Sequence, residues 1–147
     1  IVWVMFFGYP NDGRQTGAGE VLLPTTLGQI AVLPEHQSLV AELMPGEVEL
    51  RTGLNGTIIS SFVVTGGIVE VRNGTEVLIL AHAAEPAESI KEDRAQAAME
   101  RARTIMQTEG FKDDVRYAEA TAALERSLAR LRIAKKHKTR HRGIQKG

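Results

Sequence analysis

The chain changes its hydrophobic period once, near residue 85, and that change restricts it to an architecture of two parts. Before it, the runs VWVMFF, EVLLP, QIAVL, EVELR, TIISSFVV, IVEVR and EVLIL are short, rich in β-branched residues and punctuated by Gly, Pro or Asn. EVELR and VEVR alternate apolar and polar residues, the pattern of strands with one wet face. Asn55-Gly56 and Asn73-Gly74 each stand between strand-like runs. Asn-Gly adopts the positive φ angles of a type I′ hairpin turn at little cost, so both predict tight turns. Many short strands with such turns predict an antiparallel β-sandwich or a small barrel.

After the change, alanine takes over: fourteen fall between Ala81 and Ala134. Alanine gives up little entropy in a helix and allows close packing. Ser89-Ile90-Lys91-Glu92 fits a capping box with Ser89 as N-cap, and the first helix is expected to run to about Thr108 and end at Gly110. Asp113 and Asp114 offer an N-cap for a second helix, whose apolar stripe reads Tyr117, Ala120, Leu124, Leu128 and Leu131. A connector this short predicts an antiparallel α-helical hairpin, with Ala98 and Ala102 packed against Ala118 and Ala122. The expected division is a β-sandwich docking unit over residues 1–86, a helix-turn-helix unit over 87–140 and a basic tail over 141–147.

Composition narrows the functional classes. Hydrophobic residues make up 43% and charged residues 24%, the balance of a globular protein, and with 5% aromatics the core has to be aliphatic. The chain has no cysteine, which excludes thiolate metal sites, disulfides and Cys nucleophiles. No apolar run reaches the roughly 20 residues that span a bilayer, and IVWVMFF is too short and lacks the basic flank of a secretory signal. The net charge of zero hides an asymmetry. Residues 1–84 hold three Lys/Arg and eight Asp/Glu, while residues 85–147 hold fifteen and ten. The sandwich half is therefore at −5 and the helical half at +5, so the two face different partners.

Candidate chemistry is sparse. In LPTTLGQIAVLPEHQSLVAEL, His36 follows Pro34 and Glu35 between two strand-like runs, and no nucleophile or second ligand is marked for it. The residues read as a turn, with Pro34 fixing φ. Gly17-Ala18-Gly19 and Gly66-Gly67 complete no phosphate-loop pattern, and Gly66-Gly67 reads as a bend or crossing within a strand. Asn55-Gly56-Thr57 and Asn73-Gly74-Thr75 match the glycosylation sequon, here read as turn chemistry. The run from Lys135 to Arg142 is strongly basic and suits an acidic protein surface, an anionic lipid or a nucleic acid, or a solvated helix end. His137 and His141 stand at i, i+4 without a carboxylate partner, and no metal is expected.

LPTTLGQIAVLPEH, VVTGGIVEVRNGTEVLILAHAAE and ALERSLARLRIA together resemble the epsilon subunit of the rotary F-type ATP synthase, called delta in mitochondria. The resemblance covers about residues 20–134. Near Gly8-Tyr9-Pro10-Asn11-Asp12-Gly13 the family usually shows a TPDG-like turn. It implies a non-catalytic subunit of the central stalk in a proton-translocating synthase, peripheral to the membrane on the cytoplasmic face in bacteria. The sandwich would grip the gamma subunit and rest on the c-ring, with His36 in a connecting loop. The helical hairpin would regulate the machine, lying on the sandwich or extending into the alpha/beta catalytic head to block ATP hydrolysis.

The same resemblance implies contacts. Arg116, Arg126, Arg130, Arg132, Lys135 and Lys136 would meet an acidic loop of the beta subunits. Some bacterial members bind ATP through an I/L-D-x-x-R-A motif with arginines on the second helix. Here the motif reads Ile90-Lys91-Glu92-Asp93-Arg94-Ala95, with Arg126 and Arg130 following. Ile90, Arg94 and Ala95 match, but Lys91 replaces the Asp, so weak or absent ATP binding is expected and no other cofactor is implied. Two rival readings predict different behaviour. A nucleic-acid- or acidic-protein-binding module with a basic helical tail would bind with steep salt dependence. A small hydrolase using His36 with Glu35 would lose turnover in a His36→Ala variant.

Overall fold

The computed structural model of the chain describes the backbone of residues 1–10, 13–109 and 113–144. It divides into two compact units, Ile1–Pro86 and Ala87–Gly147. The first unit holds seven strands: β1 Val2–Pro10, β2 Arg14–Ala18, β3 Glu20–Thr25, β4 Gly28–Val32, β5 Leu39–Arg51, β6 Ile58–Arg72 and β7 Glu76–Pro86. They hydrogen-bond in the order β2-β1-β7-β6-β5-β3-β4, and the sheet closes over a single core as a sandwich. All pairs are antiparallel except β1 with β7, where Val4 stands opposite Val77 and Phe6 opposite Ile79. A parallel pair needs a long connection, and the five strands between β1 and β7 supply it.

The core follows from alternation. Val2, Val4 and Phe6 of β1, Val21 and Leu23 of β3, Val48 and Leu50 of β5, Phe62 and Val64 of β6, and Val77 and Ile79 of β7 are all fully buried. Each such side chain stabilises the fold by about 1.5–3 kcal/mol over its exposed state. The Phe6 and Phe62 rings, from strands that are not neighbours, meet at 4.3 Å between centroids and tilt by 36°. Two buried carboxylates flank this core. Arg51 Nη2 donates to Glu49 Oε2 at 2.7 Å and its Nη1 lies 3.8 Å from Glu20 Oε2, which also accepts the Asn55 N–H at 3.1 Å.

The runs TIISSFVV and IVEVR prove to be one strand, β6, that bends at Gly66 (φ 95°) and Gly67 (φ 135°). A Cβ on Gly67 would fall 2.1 Å from the Leu80 carbonyl oxygen, so β6 passes β7 where only glycine fits. Of the two Asn-Gly pairs, Asn73-Gly74 forms the expected turn, with φ 54° and 65° and the Thr75 N–H donating to Arg72 O at 3.2 Å. At Asn55-Gly56 the expectation of a two-residue turn fails. Thr52 and Thr57 close a four-residue loop there, and only Asn55 of the pair is left-handed.

In the second unit, a single 3-10 turn over Ala87–Ser89 precedes α1 Glu92–Glu109, and α2 runs Asp114–Ile144. The capping box on Ser89 is displaced. The Ile90 N–H closes the 3-10 turn on Ala87 O, and the first α-helical bond runs from Ala95 N–H to Lys91 O, which makes Lys91 the N-cap. Asp113 caps α2 as expected, its Oδ1 accepting the N–H groups of Val115 and Arg116 at 3.1 Å. The stop at Gly110 lies outside the described residues. The helices pack antiparallel: Ala95 and Met99 of α1 bury against Leu131, with Leu124 beside them, and Lys138 Nζ lies 3.0 Å from Glu92 Oε1.

The expected α2 stripe needs one correction. Leu128 is 44% exposed, and Ser127 is buried in its place. Ser127 tolerates burial because its hydroxyl donates to Ala123 O within the same helix, at 2.8 Å. Ala118 is exposed, and Ala120 and Ala123 share a groove with Ala98 and Ala102.

Candidate functional site

Small residues let the two helices approach, and the long cationic side chains around them define the candidate site. Ala98 and Ala102 of α1 and Ala120 and Ala123 of α2 line a groove of about 650 Å3. Ile105, Arg101, Arg116, Glu119 and Arg126 complete it. Three guanidiniums against one carboxylate make the groove electropositive, with donors suited to phosphate or carboxylate oxygens. Arginine stays protonated, so these three groups offer cationic donors and move no proton.

The structure sorts the candidate ATP contacts. Arg126 lies on the groove; Ile90, Arg94, Ala95 and Arg130 do not line it. Ile90 is buried at the entrance to α1, and Ala95 is fully buried in the hairpin core with Met99 and Leu131. Arg94 is exposed and Arg130 half-buried. Lys91, where the motif has Asp, is exposed at the α1 N-cap. Of the candidate beta-subunit contacts, Arg116 and Arg126 line the groove, and Arg132, Lys135 and Lys136 are exposed further along α2. Arg101 and Glu119 were not foreseen. Arg101 follows Arg94 by seven residues, two helical turns on the same face, and that spacing was the available signal.

On the sandwich, His36 closes a turn. Its N–H donates to Leu33 O at 3.2 Å, and its Nδ1 lies 2.7 Å from Gln37 O. That ring contact serves the local backbone. A shallow hollow of about 360 Å3 lies near Ser38, Val40, Glu70 and Arg72. Arg72 spends its guanidinium on Glu70, donating from Nε at 2.6 Å and Nη2 at 2.7 Å. Those hydrogen bonds hold the Glu70 carboxyl below its ordinary range and push Arg72 above its own. Among the described residues, no group of three or more His, Asp or Glu is placed to hold a metal.

Sequence comparison matches the same two units. Residues 15–87 fit the ATP synthase delta/epsilon chain beta-sandwich domain, and residues 88–135 fit its long alpha-helix domain. The chain belongs to the ATP synthase delta/epsilon chain family. Among similar proteins, the ATP synthase epsilon chain of Gloeobacter violaceus is 41% identical over 115 residues, covering 78% of this chain and 83% of the relative. That of Desulfitobacterium hafniense is 41% identical over 116 residues, covering 78% and 82%. The fold also matches a chain in the cryo-EM structure of the Euglena gracilis mitochondrial ATP synthase (OSCP/F1/c-ring). The TM-score is 0.72 at 24% identity, covering 87% of this chain and 78% of that one. In this delta/epsilon chain the alignment places the helix-domain boundary at residue 135, nine residues before α2 ends at Ile144.

Proposed function

We propose that this delta/epsilon chain is a rotor subunit of a rotary ATP synthase. The sandwich grips gamma and rests on the c-ring, and the hairpin acts as a brake on ATP hydrolysis. The observation that carries the reading is the match of both family domains, end to end over residues 15–135, onto the two compact units. The two units suit separate tasks. A close-packed, mainly aliphatic sandwich transmits torque without deforming. A helical pair with a small core of its own is free to exchange partners.

The cations on α2 supply the bias of the brake. Exposed ion pairs contribute about 0–1 kcal/mol each, and a two-state hairpin needs about 5.5 kcal/mol of differential binding to switch from 1:99 to 99:1. Several contacts among Arg116, Arg126, Arg130, Arg132, Lys135 and Lys136 must therefore act together on the beta subunits. The chain itself carries out no bond-breaking step in this reading. It works as a peripheral subunit at the cytoplasmic face of a bacterial membrane; no helix of the described residues is long and apolar enough to cross one.

ATP binds weakly or not at all to this chain. Lys91 puts a cation where an acceptor belongs, and Arg94 lies off the arginine-lined groove. Affinity purification of the tagged chain from native membranes tests the assembly, with gamma, alpha and beta expected to co-purify. Their absence defeats the rotor reading. Hydrolysis by the complex is expected to rise when residues 87–147 are removed, and an unchanged rate defeats the brake. Calorimetric titration with ATP is expected to show no micromolar site.

A further inference from the structure

We propose that, while the hairpin is off the beta subunits, the end of α2 is a membrane-surface arm that lies on the phosphate headgroups of anionic phospholipids. The helix continues past the family's helix domain, which ends at residue 135, to Ile144. After Glu125 the sequence contains no Asp or Glu. Leu128, Arg132, Lys135, Thr139 and Arg142 follow one another at spacings of 4, 3, 4 and 3, so they form a single stripe along the helix. All five are exposed. Arg132, Lys135 and Arg142 make no ion pair with any described residue. At 1.5 Å per residue these three cations are set over about 15 Å of rigid helix.

The shape of the charged face selects the occupant. At 100° per residue Arg132, Lys135 and Arg142 share a sector of about 80°, and Lys136 and Lys138, the latter 3.0 Å from Glu92 Oε1, lie about 40° outside it on either side. An exposed stripe of this length matches a flat, diffusely negative surface and needs no matched pocket. Leu128 is the stripe's one apolar member, at its N-terminal end, so attraction here is electrostatic with little insertion. α2 carries no Phe, Tyr or Trp after Tyr117, so base stacking there is limited to histidine, which disfavours a single-stranded nucleic acid. The choice of lipid rests on the proposed place of the chain beside a membrane, whereas the charge pattern does not.

Vesicle co-sedimentation of the full purified chain tests the arm without gamma, alpha or beta, so its failure is separable from failure of the rotor reading. The chain is expected to pellet with equimolar phosphatidylcholine and phosphatidylglycerol vesicles at low salt. It is expected to stay in solution with phosphatidylcholine alone, and to be released by high salt. Near such a surface each cation contributes about a fivefold change in partitioning. Lys135→Gln with Arg142→Gln is therefore expected to weaken binding about 25-fold, and Arg103→Gln on α1 to leave it unchanged. Circular dichroism of each variant checks that the helix is retained, and Arg132→Gln with Lys135→Gln gives a second pair with the same expectation. Equal pelleting with neutral vesicles, or an unaltered double variant, overturns the proposal. So does tighter binding to duplex DNA or polyglutamate at equal charge, which would assign the arm to a nucleic acid or an acidic protein.

Discussion

The Glu35 N–H donates to the Gly74 carbonyl at 2.8 Å, which fastens the turn after β4 to the turn between β6 and β7. Glu35 holds φ at 67° in the third position of the Leu33–His36 turn, where glycine or asparagine is at ease. Glu35→Asn is expected to relieve about 0.5–1 kcal/mol of backbone strain. In a unit of this size that raises the melting temperature by roughly 2–8 °C. Gly74→Ala is expected to lower stability by more than about 1 kcal/mol, because φ is 65° and the new Cβ would stand 2.8 Å from Glu35 Cα. Thermal unfolding of both variants checks the pair, and a lower melting point for Glu35→Asn contradicts it.

Arg51 holds two carboxylates that are almost out of contact with water, Glu20 at 2% and Glu49 at 3% exposure. Removing the guanidinium leaves buried negative charge without its cation. Arg51→Ala is expected to cost about 3–5 kcal/mol in denaturant unfolding, and the triple change Arg51→Met, Glu20→Gln, Glu49→Gln much less. Equal losses would show that the pairing carries no weight.

The two helix starts are unequally capped. Asp113 accepts two N–H groups, and its replacement by Ala is expected to cost about 1 kcal/mol. Lys91 sets a cation at the positive end of α1. Lys91→Asp is expected to stabilise the helical unit by about 1 kcal/mol, whether or not ATP is present. Calorimetry that shows stabilisation only with ATP would assign Lys91 a ligand role instead.

The exposed Glu70–Arg72 pair gives an acid-side prediction. Hydrogen bonding to Arg72 lowers the Glu70 carboxyl from its ordinary 4.5, so the folded state binds that proton less readily than the unfolded chain. The contribution is complete above about 4.5 and is lost as pH falls through the lowered value. Glu70→Gln is expected to flatten this part of the stability profile between pH 5 and 3, read by urea unfolding at each pH.

How far the sequence could be read depended on the range of the interactions. Asn73-Gly74, the Asp113 cap and the alternating core of β6 and β7 rest on local chemistry, and they were legible. β2 was not foreseen, because RQTGA is polar and glycine-containing and becomes a strand by pairing with β1. Leu128 looked like core because periodicity counts apolar residues. Ser127 took the place because its hydroxyl finds an acceptor one turn back, which a hydropathy pattern does not register. At the candidate site, Arg116 and Arg126 were legible on α2, while Arg101 of α1 was brought beside them by the packing of α1 on α2.

The pairing of β1 with β7 also sets when the first strand can be completed during synthesis. Trp3 through Phe7 wait for Glu76 through Leu80, so a nascent chain shorter than this holds a first strand with one side unfilled. A ribosome stalled in that interval exposes a hydrophobic ribbon to other chains, whereas α1 and α2 need only each other and fold on contacts close in sequence.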